Sequence, residues 1–439
     1  MKNKYTWFFP MVSFIMFATF LWAYIAPRDT VQIRTLVSFG SGFLAYSMML
    51  VLILISVRPK VIERKLGLPD MYHIHGYMGM VLTFAVLVHV VIQWNGLQSI
   101  ADMSLLSRTG FLGVLFLAAS VLSGTLVLSN TFIKRSRKLM GMKENYYKRE
   151  KHLWAHRLSI LAVVAIFWHI RTIASGSLEV LLWIYTGFTL GWYVIYTLQI
   201  FALPKYEVVS ISMPSSTVYE LEVRPKNGEM MDYEPGQYVF LRFVDSEMPR
   251  ESHPFSISSA PNQSKGTLQI MIKTLGDFTS ALHKVKPGDA VTLQGPFGNY
   301  FTEDLANNDN PLILMGGGIG VTPNLSVVRS EVAKNSKRKM HLIWGLAFKE
   351  DIMLVEELEA IKSANPNFSY HFIFSEEEVE GYPFGFVTEN YLKDIGVDTL
   401  YDEGEFFICG PGPMMSAISN VLMKNGVDSE NIHLEEFSF

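Results

Sequence analysis

The sequence predicts an all-α bundle of six transmembrane helices, followed by an antiparallel β-barrel domain and a parallel α/β domain. The first observation is hydropathy: 49% of the 439 residues are hydrophobic, only 18% are charged, and the long apolar runs lie in the first half. The second is charge, because residues 1–203 hold 19 Lys and Arg against 7 Asp and Glu, whereas the rest hold 18 against 34. The third is pattern, because short strands with Gly and Pro turns, and then strands alternating with helices, follow residue 203. We therefore predict domains at 1–203, 204–305 and 306–439.

Six apolar runs define the predicted helices. They lie near residues 6–26, 33–57, 73–94, 110–130, 152–173 and 178–202. Each has about 20 residues, enough for a helix to cross a hydrocarbon core of ~30 Å. The first run follows only Lys2 and Lys4 and lacks a small-residue cleavage site, so we interpret it as a retained helix rather than a removed signal peptide.

Positive charge in the loops predicts a multi-pass protein of the cell membrane with a cytoplasmic N-terminus. Lys and Arg concentrate at the N-terminus and in the loops near 58–72 and 131–151, as expected of cytoplasmic loops. Six crossings then return the chain to the cytoplasm at Pro204, so the acidic half is cytoplasmic. The basic 131–151 loop and the acidic half have opposite charges. Either this attraction docks the two domains, or the basic loop reflects only the positive-inside orientation of the membrane helices.

The cysteine count limits the site chemistry. The single cysteine, Cys409, excludes a disulfide scaffold and a cysteine-rich zinc or iron–sulfur site, and suits a cytoplasmic domain. No nucleic-acid partner and no obligate protein partner are predicted.

Four histidines lie inside predicted helices, where ionisable residues are usually functional. His75 and His89 are 14 residues apart in the third helix, and His156 and His169 are 13 apart in the fifth. Both separations amount to about 20 Å along a helix axis. The two helices run in the same direction, so the histidines form two levels of two. This arrangement fits two stacked bis-histidine haems, the alternative being hydrogen-bonded histidines at helix ends.

The spacing in the fifth helix raises a geometric problem. Fourteen residues return to within about 40° of the same helix face, but thirteen leave the two side chains about 140° apart. The fifth helix is therefore predicted to contain a kink or a π-bulge, or to present its histidines at different angles. His152 is an alternative to His156 on the same face, although we interpret His152 and His73 as interfacial residues.

These helices and histidines resemble the ferric reductase-like transmembrane domain of NADPH oxidases and ferric-chelate reductases. The resemblance covers nearly the whole chain, since the second half resembles the same family's dehydrogenase part, and the short loops resemble a compact prokaryotic member. It implies two haem b groups. The implied iron ligands are His75, His89, His156 and His169.

Two segments of the second half suit a flavin. Residues 250–259 read Arg-Glu-Ser-His-Pro-Phe-Ser-Ile-Ser-Ser, a strand with an aromatic residue between small hydroxyl residues; the alternative is a buried edge strand. Residues 271–279 include Gly276, which permits a tight turn, and Thr279, which could meet a pyrophosphate at a helix start. The alternative is a plain turn before a helix.

Two further segments suit a nicotinamide nucleotide. Residues 316–323 read Gly-Gly-Gly-Ile-Gly-Val-Thr-Pro between an apolar strand and a helix, where glycines let the backbone approach a diphosphate. Residues 409–415 read Cys-Gly-Pro-Gly-Pro-Met-Met, again between a strand and a helix. The alternative for Cys409 is a small buried hydrophobe.

In this order the four segments resemble the ferredoxin–NADP reductase superfamily. The His-Pro-Phe-Ser sequence within the flavin segment resembles the form found in the oxidases and ferric reductases of that superfamily. The resemblance implies that FAD is bound by His253, Pro254, Phe255, Ser256, Lys273, Gly276, Phe278 and Thr279. It implies that the nicotinamide nucleotide is bound by Gly316, Gly318, Gly320, Thr322, Pro323, Gly410 and Pro411. Cys409 is then a catalytic residue beside the nicotinamide, and Phe437 or Phe439 is an aromatic gate over the flavin, the alternative being an apolar residue that docks the tail.

The donor is predicted to be NADH, or both NADH and NADPH. Many NADPH-specific relatives place Ser-Arg where this chain has Ser375-Glu376, and a carboxylate there would repel a 2′-phosphate. Lys349 is the nearest substitute cation by sequence.

The predicted order of electron transfer is NAD(P)H, FAD, the haem at His75 and His156, the haem at His89 and His169, and an external acceptor. Oxygen, giving superoxide, is the first candidate acceptor and a ferric chelate the second. Arg34 and Gln93 are candidates to line the acceptor pocket, although Arg34 is equally a snorkelling residue. The third hypothesis assigns another function to the chain: it is an electron-feeding subunit whose acceptor is a partner protein, or it forms a haem-free proton path.

Overall fold

The structure is a computed structural model that describes residues 5–93, 104–124, 149–244, 246–261 and 266–435. The described residues divide between Phe201 and Ala202 into a helical unit and a C-terminal unit.

Among the described residues, the helical unit contains six helices that are long and apolar enough to cross a membrane. The helices described in this unit are α1 (Phe8–Ile25), α2 (Ile33–Ser56), α3 (Lys60–Leu66), α4 (Leu68–Gln93), α5 (Leu105–Ser123), α6 (Arg149–His156), α7 (Leu158–Arg171) and α8 (Gly176–Phe201). The fifth apolar helix is α6 and α7 taken together from His152. The prediction of six apolar helices is confirmed.

Two predicted helix starts were wrong by about one turn. The third long helix begins at Leu68 rather than residue 73, and the predicted 58–72 loop contains α3. Pro69 and Asp70 were interpreted as loop residues, but proline and an acidic residue are both favourable in a first helical turn. The fourth begins at Leu105 rather than residue 110, because the Ser104 hydroxyl caps it by accepting from the Ser107 N–H at 3.2 Å.

The fifth helix breaks directly after His156. The Arg157 N–H is shared between the carbonyls of Leu153 and Trp154, both at 3.1 Å, and the Arg157 carbonyl accepts from the Ile160 N–H at 3.0 Å. The bonds to Trp154 and from Ile160 span three residues rather than the four of an α-helix, and they tighten one turn between α6 and α7. The irregularity predicted from the 13-residue spacing is confirmed.

The C-terminal unit begins with a six-stranded antiparallel sheet. Its strands are β1 (Lys205–Ser215), β2 (Val218–Pro225), β3 (Tyr238–Val244), β4 (Ser252–Ser256), β5 (Leu268–Lys273) and β6 (Ala290–Phe297), in the order β4-β3-β6-β1-β2-β5. The sheet closes between its two edges, where Ile257 bridges Ile270 and the Ser258 N–H donates to the Gln269 carbonyl at 2.8 Å. Buried side chains such as Leu221, Leu241 and Ile270 fill the interior, as in a small barrel.

A five-stranded parallel sheet follows the barrel. Its strands are β7 (Leu312–Gly317), β8 (Met340–Leu346), β9 (Phe368–Phe374), β10 (Glu405–Cys409) and β11 (Ile432–Glu435), in the order β11-β10-β7-β8-β9. The helices of the C-terminal unit are α9 (Asp277–Ser280), α10 (Glu303–Ala306), α11 (Thr322–Ala333), α12 (Val355–Ala364), α13 (Glu389–Asp394) and α14 (Gly412–Lys424).

The strand order reverses between β7 and β10, since β8 lies on one side of β7 and β10 on the other. Open α/β sheets bind ligands outside the carboxyl ends of the strands at such a switch point. The two glycine-containing segments predicted from the sequence follow these two strands.

Candidate functional site

The four histidines of the helical unit form two pairs. The ring centroids of His75 and His156 are 5.9 Å apart, and those of His89 and His169 are 6.1 Å apart. Helix α4 supplies one member of each pair, and the broken fifth helix supplies the other. The structure therefore brings together the residues that the sequence placed at common levels.

Hydrogen bonds fix the orientation of three of the rings. The Nδ1 atom of His89 lies 2.8 Å from the Ser38 carbonyl, that of His169 lies 2.8 Å from the Leu106 carbonyl, and that of His156 lies 3.0 Å from the Ser120 carbonyl. A carbonyl only accepts, so each Nδ1 carries the proton and each Nε2 presents a lone pair. This is how histidine ligands of metals are usually held. Within the described residues, His75 has no such acceptor.

The pair distances fit one iron between each two imidazoles. An imidazole nitrogen binds a transition metal at about 2 Å, so a metal bound between two imidazoles separates their ring centroids by roughly 6 Å. Both observed separations, 5.9 and 6.1 Å, match this value. The residues present therefore fit axial ligation of two haems.

The other two histidines near this site lie differently. It is His156, and not His152, whose ring faces His75. The His152 carbonyl accepts from the Ser123 hydroxyl at 2.8 Å, which ties this turn of α6 to α5. His73 is exposed. The structure does not support His152 as the partner of His75.

Arg34 lies beside the C-terminal end of α4. Its guanidinium donates to the Ile92 carbonyl at 2.8 Å, next to the exposed Gln93. A cation at the carbonyl end of a helix is favourable for the helix dipole. Arg34 is therefore held one turn beyond His89, next to the other residue predicted to line an acceptor pocket.

An aromatic cluster lies at the predicted flavin segment. The ring of His253 is 4.1 Å from that of Phe278, and the ring of Phe255 stacks on Phe278 at 6.1 Å. Pro254 and Ser256 alternate with them along β4, where Pro254 pairs with Phe240 of β3 and Ser256 is buried. Strand β4 and the first turn of α9 thus come together as the sequence grouped them.

Two predicted flavin ligands are engaged elsewhere. The Lys273 ammonium pairs at 3.2 Å with the buried carboxylate of Asp351, which also accepts from the Thr217 hydroxyl at 3.3 Å. The Thr279 hydroxyl accepts from the Gly276 N–H at 3.0 Å, and so closes the turn that begins α9. Lys273 therefore links the barrel to the α/β domain, and its predicted contact with FAD stays a prediction.

The loops after β7 and β10 touch at the switch point. A Cβ on Gly320 would lie 2.5 Å from the Cys409 carbonyl oxygen, and one on Gly410 would lie 3.1 Å from the Gly317 backbone. Gly318 has a φ of +55°, in the left-handed region that favours glycine. Only glycine permits this approach of two backbones, which leaves peptide groups rather than side chains at the crevice.

The remaining predicted residues of the crevice lie on the same two loops. A Cβ on Gly316 would lie 2.6 Å from the Val321 Cα, so this glycine permits the sharp turn after β7. Thr322 and Pro323 begin α11, and the Thr322 hydroxyl donates to the Ile319 carbonyl at 2.7 Å. Pro411 precedes α14 and packs against Gly317.

Two residues that hold this crevice, Trp344 and Arg329, were not predicted from the sequence. The Trp344 indole N–H donates to the Gly318 carbonyl at 2.9 Å. Arg329 binds Glu357 through two bonds of 2.7 Å and donates to the Ser258 carbonyl at 2.9 Å, which joins α11 to the end of the flavin segment. The available signals were that Trp344 is the one tryptophan after residue 203 and that Arg329 is the one cation in the sequence of α11.

Cys409 is buried at the end of β10. Burial raises the pKa of its thiol, and the Glu435 carboxylate raises it further. A neutral thiol suits a small wall residue of the crevice rather than a thiolate nucleophile.

Carboxylates line an open cavity at the carboxyl ends of β8 and β9. The cavity has a volume of about 650 Å³ and is lined by Phe348, Lys349, Glu350, Glu376 and Glu377. Glu377 accepts from the Lys349 backbone N–H at 2.8 Å. Negative charge here disfavours the 2′-phosphate that distinguishes NADPH from NADH.

Three predictions lie outside the described residues. These are the two candidate aromatic gates, Phe437 and Phe439, and the docking of the basic loop, of which residues 131–148 are not described.

The comparisons with known proteins concern mainly the C-terminal unit. Residues 203–315 match the model of an FAD-binding domain, and residues 314–420 match that of the oxidoreductase NAD-binding domain. A subunit of the Na(+)-translocating NADH-quinone reductase of Actinobacillus succinogenes is 27% identical over 289 residues, which cover 54% of this chain and 69% of the relative. The protein of the same name from Actinobacillus pleuropneumoniae is 28% identical over the same shares.

One solved structure resembles the fold over most of the chain. The flavohemoglobin of Malassezia yamatoensis aligns with 98% of this chain and 96% of its own at a TM-score of 0.50, with 16% identity. The domain matches identify the function of the second half: this chain is an oxidoreductase that uses FAD and a nicotinamide nucleotide.

Proposed function

We propose that this chain is a multi-pass membrane oxidoreductase that passes electrons from cytoplasmic NAD(P)H through FAD and two b-type haems to an acceptor on the outer side. The first candidate acceptor is O₂, which would give superoxide. The observation that carries the proposal is the presence of two imidazole pairs, with centroid separations of 5.9 and 6.1 Å, between helices apolar enough to cross a membrane.

The two histidine pairs have distinct places in this proposal. His75 and His156 hold the haem on the cytoplasmic side, and His89 and His169 hold the outer one. When bound, FAD takes the two electrons of a hydride and releases them singly, and each haem accepts one electron. The chain itself supplies the spacing, because 14 residues of α4 separate the two levels by about 20 Å.

The C-terminal unit brings the donor to the flavin. The glycine loops after β7 and β10 receive the diphosphate and the nicotinamide, with Cys409 as a buried wall. Arg329 joins the helix after the first glycine loop to the carbonyl of Ser258, so the two binding segments keep a fixed separation. A fixed separation favours hydride transfer, since reacting atoms must approach within about 3.5 Å.

The outer end of α4 is the proposed place of the acceptor. His89 and His169 would both be engaged in holding the outer haem, so an acceptor would be reduced beside that haem rather than by replacing one of these imidazoles. Arg34, held at the Ile92 carbonyl beside Gln93, adds positive charge there. Such charge suits oxygen reduction to an anion, and it equally suits an anionic ferric chelate.

A second candidate function rests on the relatives' names. Two relatives that match 54% of this chain are named as a subunit of a Na(+)-translocating NADH-quinone reductase. By that analogy this chain feeds electrons to a partner protein. The requirement for a co-expressed partner distinguishes this function from the first.

The test uses purified, FAD-supplemented protein in detergent or liposomes. Haem is first quantified, and we expect two b-type haems per chain with low-spin Soret bands. NADH-driven reduction of cytochrome c is then measured in air with and without superoxide dismutase, and ferric-chelate reduction is measured without oxygen.

Loss of the cytochrome c signal with dismutase supports the oxidase. A dismutase-insensitive signal with equally fast anaerobic chelate reduction supports a metal reductase. Absence of haem from folded, flavin-loaded protein overturns the proposal.

A further inference from the structure

Three of the four paired histidines rest against a glycine of a neighbouring helix. A Cβ built on Gly42 would lie 3.0 Å from the Nδ1 atom of His89, and one on Gly110 would lie 2.8 Å from that of His169. A Cβ on Gly124 would lie 3.1 Å from the Nδ1 atom of His156. These separations are shorter than ordinary contacts, so the rings occupy space that any larger residue would fill.

Each glycine stands four residues after the residue whose carbonyl accepts the hydrogen bond from the same Nδ1 atom. The pairs are Ser38 with Gly42, Leu106 with Gly110, and Ser120 with Gly124. In an α-helix the carbonyl of residue i already accepts from the N–H of residue i+4, as the Ser120 carbonyl does from the Gly124 N–H. A side chain at i+4 leans back over the preceding turn and covers that carbonyl. Glycine at this position leaves the carbonyl's second lone pair within reach of an imidazole.

We infer that these three carbonyl–glycine pairs are positioning sites for the haem-ligating imidazoles. The carbonyl of each pair accepts a hydrogen bond from the Nδ1–H group, and the glycine leaves room for the ring. The bond thereby directs Nε2 away from the neighbouring helix and towards the facing histidine. The inference rests on the proposed function, because it assigns the groups that orient the proposed iron ligands. A hydrogen bond at Nδ1 also makes Nε2 a stronger donor to a metal.

Other glycines of the helical unit show that small size alone does not explain the pattern. Gly40, Gly76 and Gly79 would each place a Cβ with nothing within 4 Å. Gly113 would place one 2.5 Å from a side-chain atom of Ile166, which is an apolar helix contact without an imidazole.

The positioning sites divide unequally between the two levels. The outer pair has two, at Gly42 and Gly110, whereas the inner pair has one, at Gly124. Within the described residues His75 has neither a carbonyl acceptor nor a glycine contact. The two proposed haems therefore differ in how tightly their axial ligands are oriented.

The test compares alanine variants of full-length, purified protein. Gly42→Ala and Gly110→Ala should shift the low-spin spectrum and potential of one haem, and Gly124→Ala those of the other. Each should speed loss of its own haem by about 10- to 100-fold, as when a hydrogen-bond partner of a metal ligand is removed. Gly40→Ala should leave both haems unchanged. Gly113→Ala should lower thermal stability while both haem spectra stay as in the wild type.

A measurement on the wild type covers the case in which a variant does not accumulate. Pulsed electron paramagnetic resonance of ¹⁵N-histidine-labelled protein resolves the remote ring nitrogens of the oxidised haems. We expect three similar protonated, hydrogen-bonded Nδ1 signals and a distinct fourth. Wild-type haem signals in Gly42→Ala and Gly110→Ala, or four equivalent Nδ1 signals, would overturn the inference while the haem proposal stands. Wild-type protein without haem would overturn both.

Discussion

The helical unit and the C-terminal unit build their candidate sites in opposite ways. In the helical unit, side chains face the proposed ligand, and backbone carbonyls such as that of Ser38 orient them. In the C-terminal unit, two backbone loops form the crevice, and side chains such as Trp344 hold them through the carbonyl of Gly318. The difference is consistent with the proposed ligands, because an iron needs a few directed nitrogen atoms, whereas a diphosphate is met by several peptide N–H groups.

This contrast determines which substitutions are severe. Removing one imidazole would remove half of the protein ligands of a proposed haem iron. In the crevice, the severe change is the addition of a methyl group to a glycine, because the two loops contact each other through backbone atoms.

The largest expected effect belongs to a paired histidine. His169→Ala should leave one haem per chain and reduce electron transfer to the outer acceptor to background, because the outer iron loses an axial ligand. Reduction of a soluble dye by the flavin should persist. Haem-to-flavin ratio and NADH-driven superoxide formation are the measurements. His73→Ala, an exposed residue of α4, is the matched control. Two haems in folded His169→Ala protein would contradict the assignment.

The next largest effect belongs to the touching loops. Gly320→Ala places a methyl group 2.5 Å from the Cys409 carbonyl, and neither backbone can yield without moving a strand end. We expect a destabilisation of about 1–3 kcal/mol and at least about tenfold weaker NADH binding. Gly345→Ala is the control, since its Cβ would meet only the Gly316 carbonyl at an ordinary 3.7 Å. Unchanged KM for NADH in Gly320→Ala would remove this loop from the crevice.

Much of the architecture could be predicted because its signals are local. Apolar run length predicted the six helices. The mismatch between 14 and 13 residues predicted an irregularity in the fifth helix without its position, and the structure has a break after His156. The starts at Leu68 and Leu105 were missed because their first turns contain polar residues that also occur in loops. Strand alternation predicted both sheets, whereas the short edge strand β11 was missed within a segment interpreted as a flavin-covering tail.

The supporting partners could not be predicted because they are distant in sequence. The Nδ1–H group of His169 donates to the Leu106 carbonyl, and the ammonium of Lys273 donates to the Asp351 carboxylate of another domain. Either partner looks ordinary in the sequence, since any residue has a carbonyl and most acidic residues lie at the surface. Only the packing of α5 on α7, and of the barrel on the α/β domain, distinguishes them.

A moderate effect is expected for Arg329, the side chain that joins the two binding segments. Arg329→Met keeps the volume of the side chain but leaves the Ser258 carbonyl and Glu357 without their donor. The side chain is 6% exposed, whereas that of Glu357 is 31% exposed, so the cost should stay near about 1–3 kcal/mol. Denaturant unfolding of the C-terminal unit, followed by flavin fluorescence, measures it.

The control for Arg329 is Arg224→Met. Arg224 pairs with Glu207, but its side chain is 58% exposed, so its loss should cost less than about 1 kcal/mol. Equal destabilisation of the two variants would show that the link to Ser258 adds nothing.

The smallest effect is expected at the acidic cavity, where one charge on the rim adjusts specificity rather than forming the site. Glu376→Ser removes a carboxylate that lines the cavity after β9 and should raise kcat/KM for NADPH relative to NADH by about two- to tenfold. Glu378→Ser makes the same change of charge at an exposed residue that does not line the cavity, and should leave the ratio unchanged. Initial rates of both variants are measured at low and high salt. Salt should reduce the shift seen in Glu376→Ser, because screening weakens an effect that rests on repulsion of the 2′-phosphate. If both variants shift the ratio equally, specificity depends on the net charge of residues 376–378 and not on contact within the cavity.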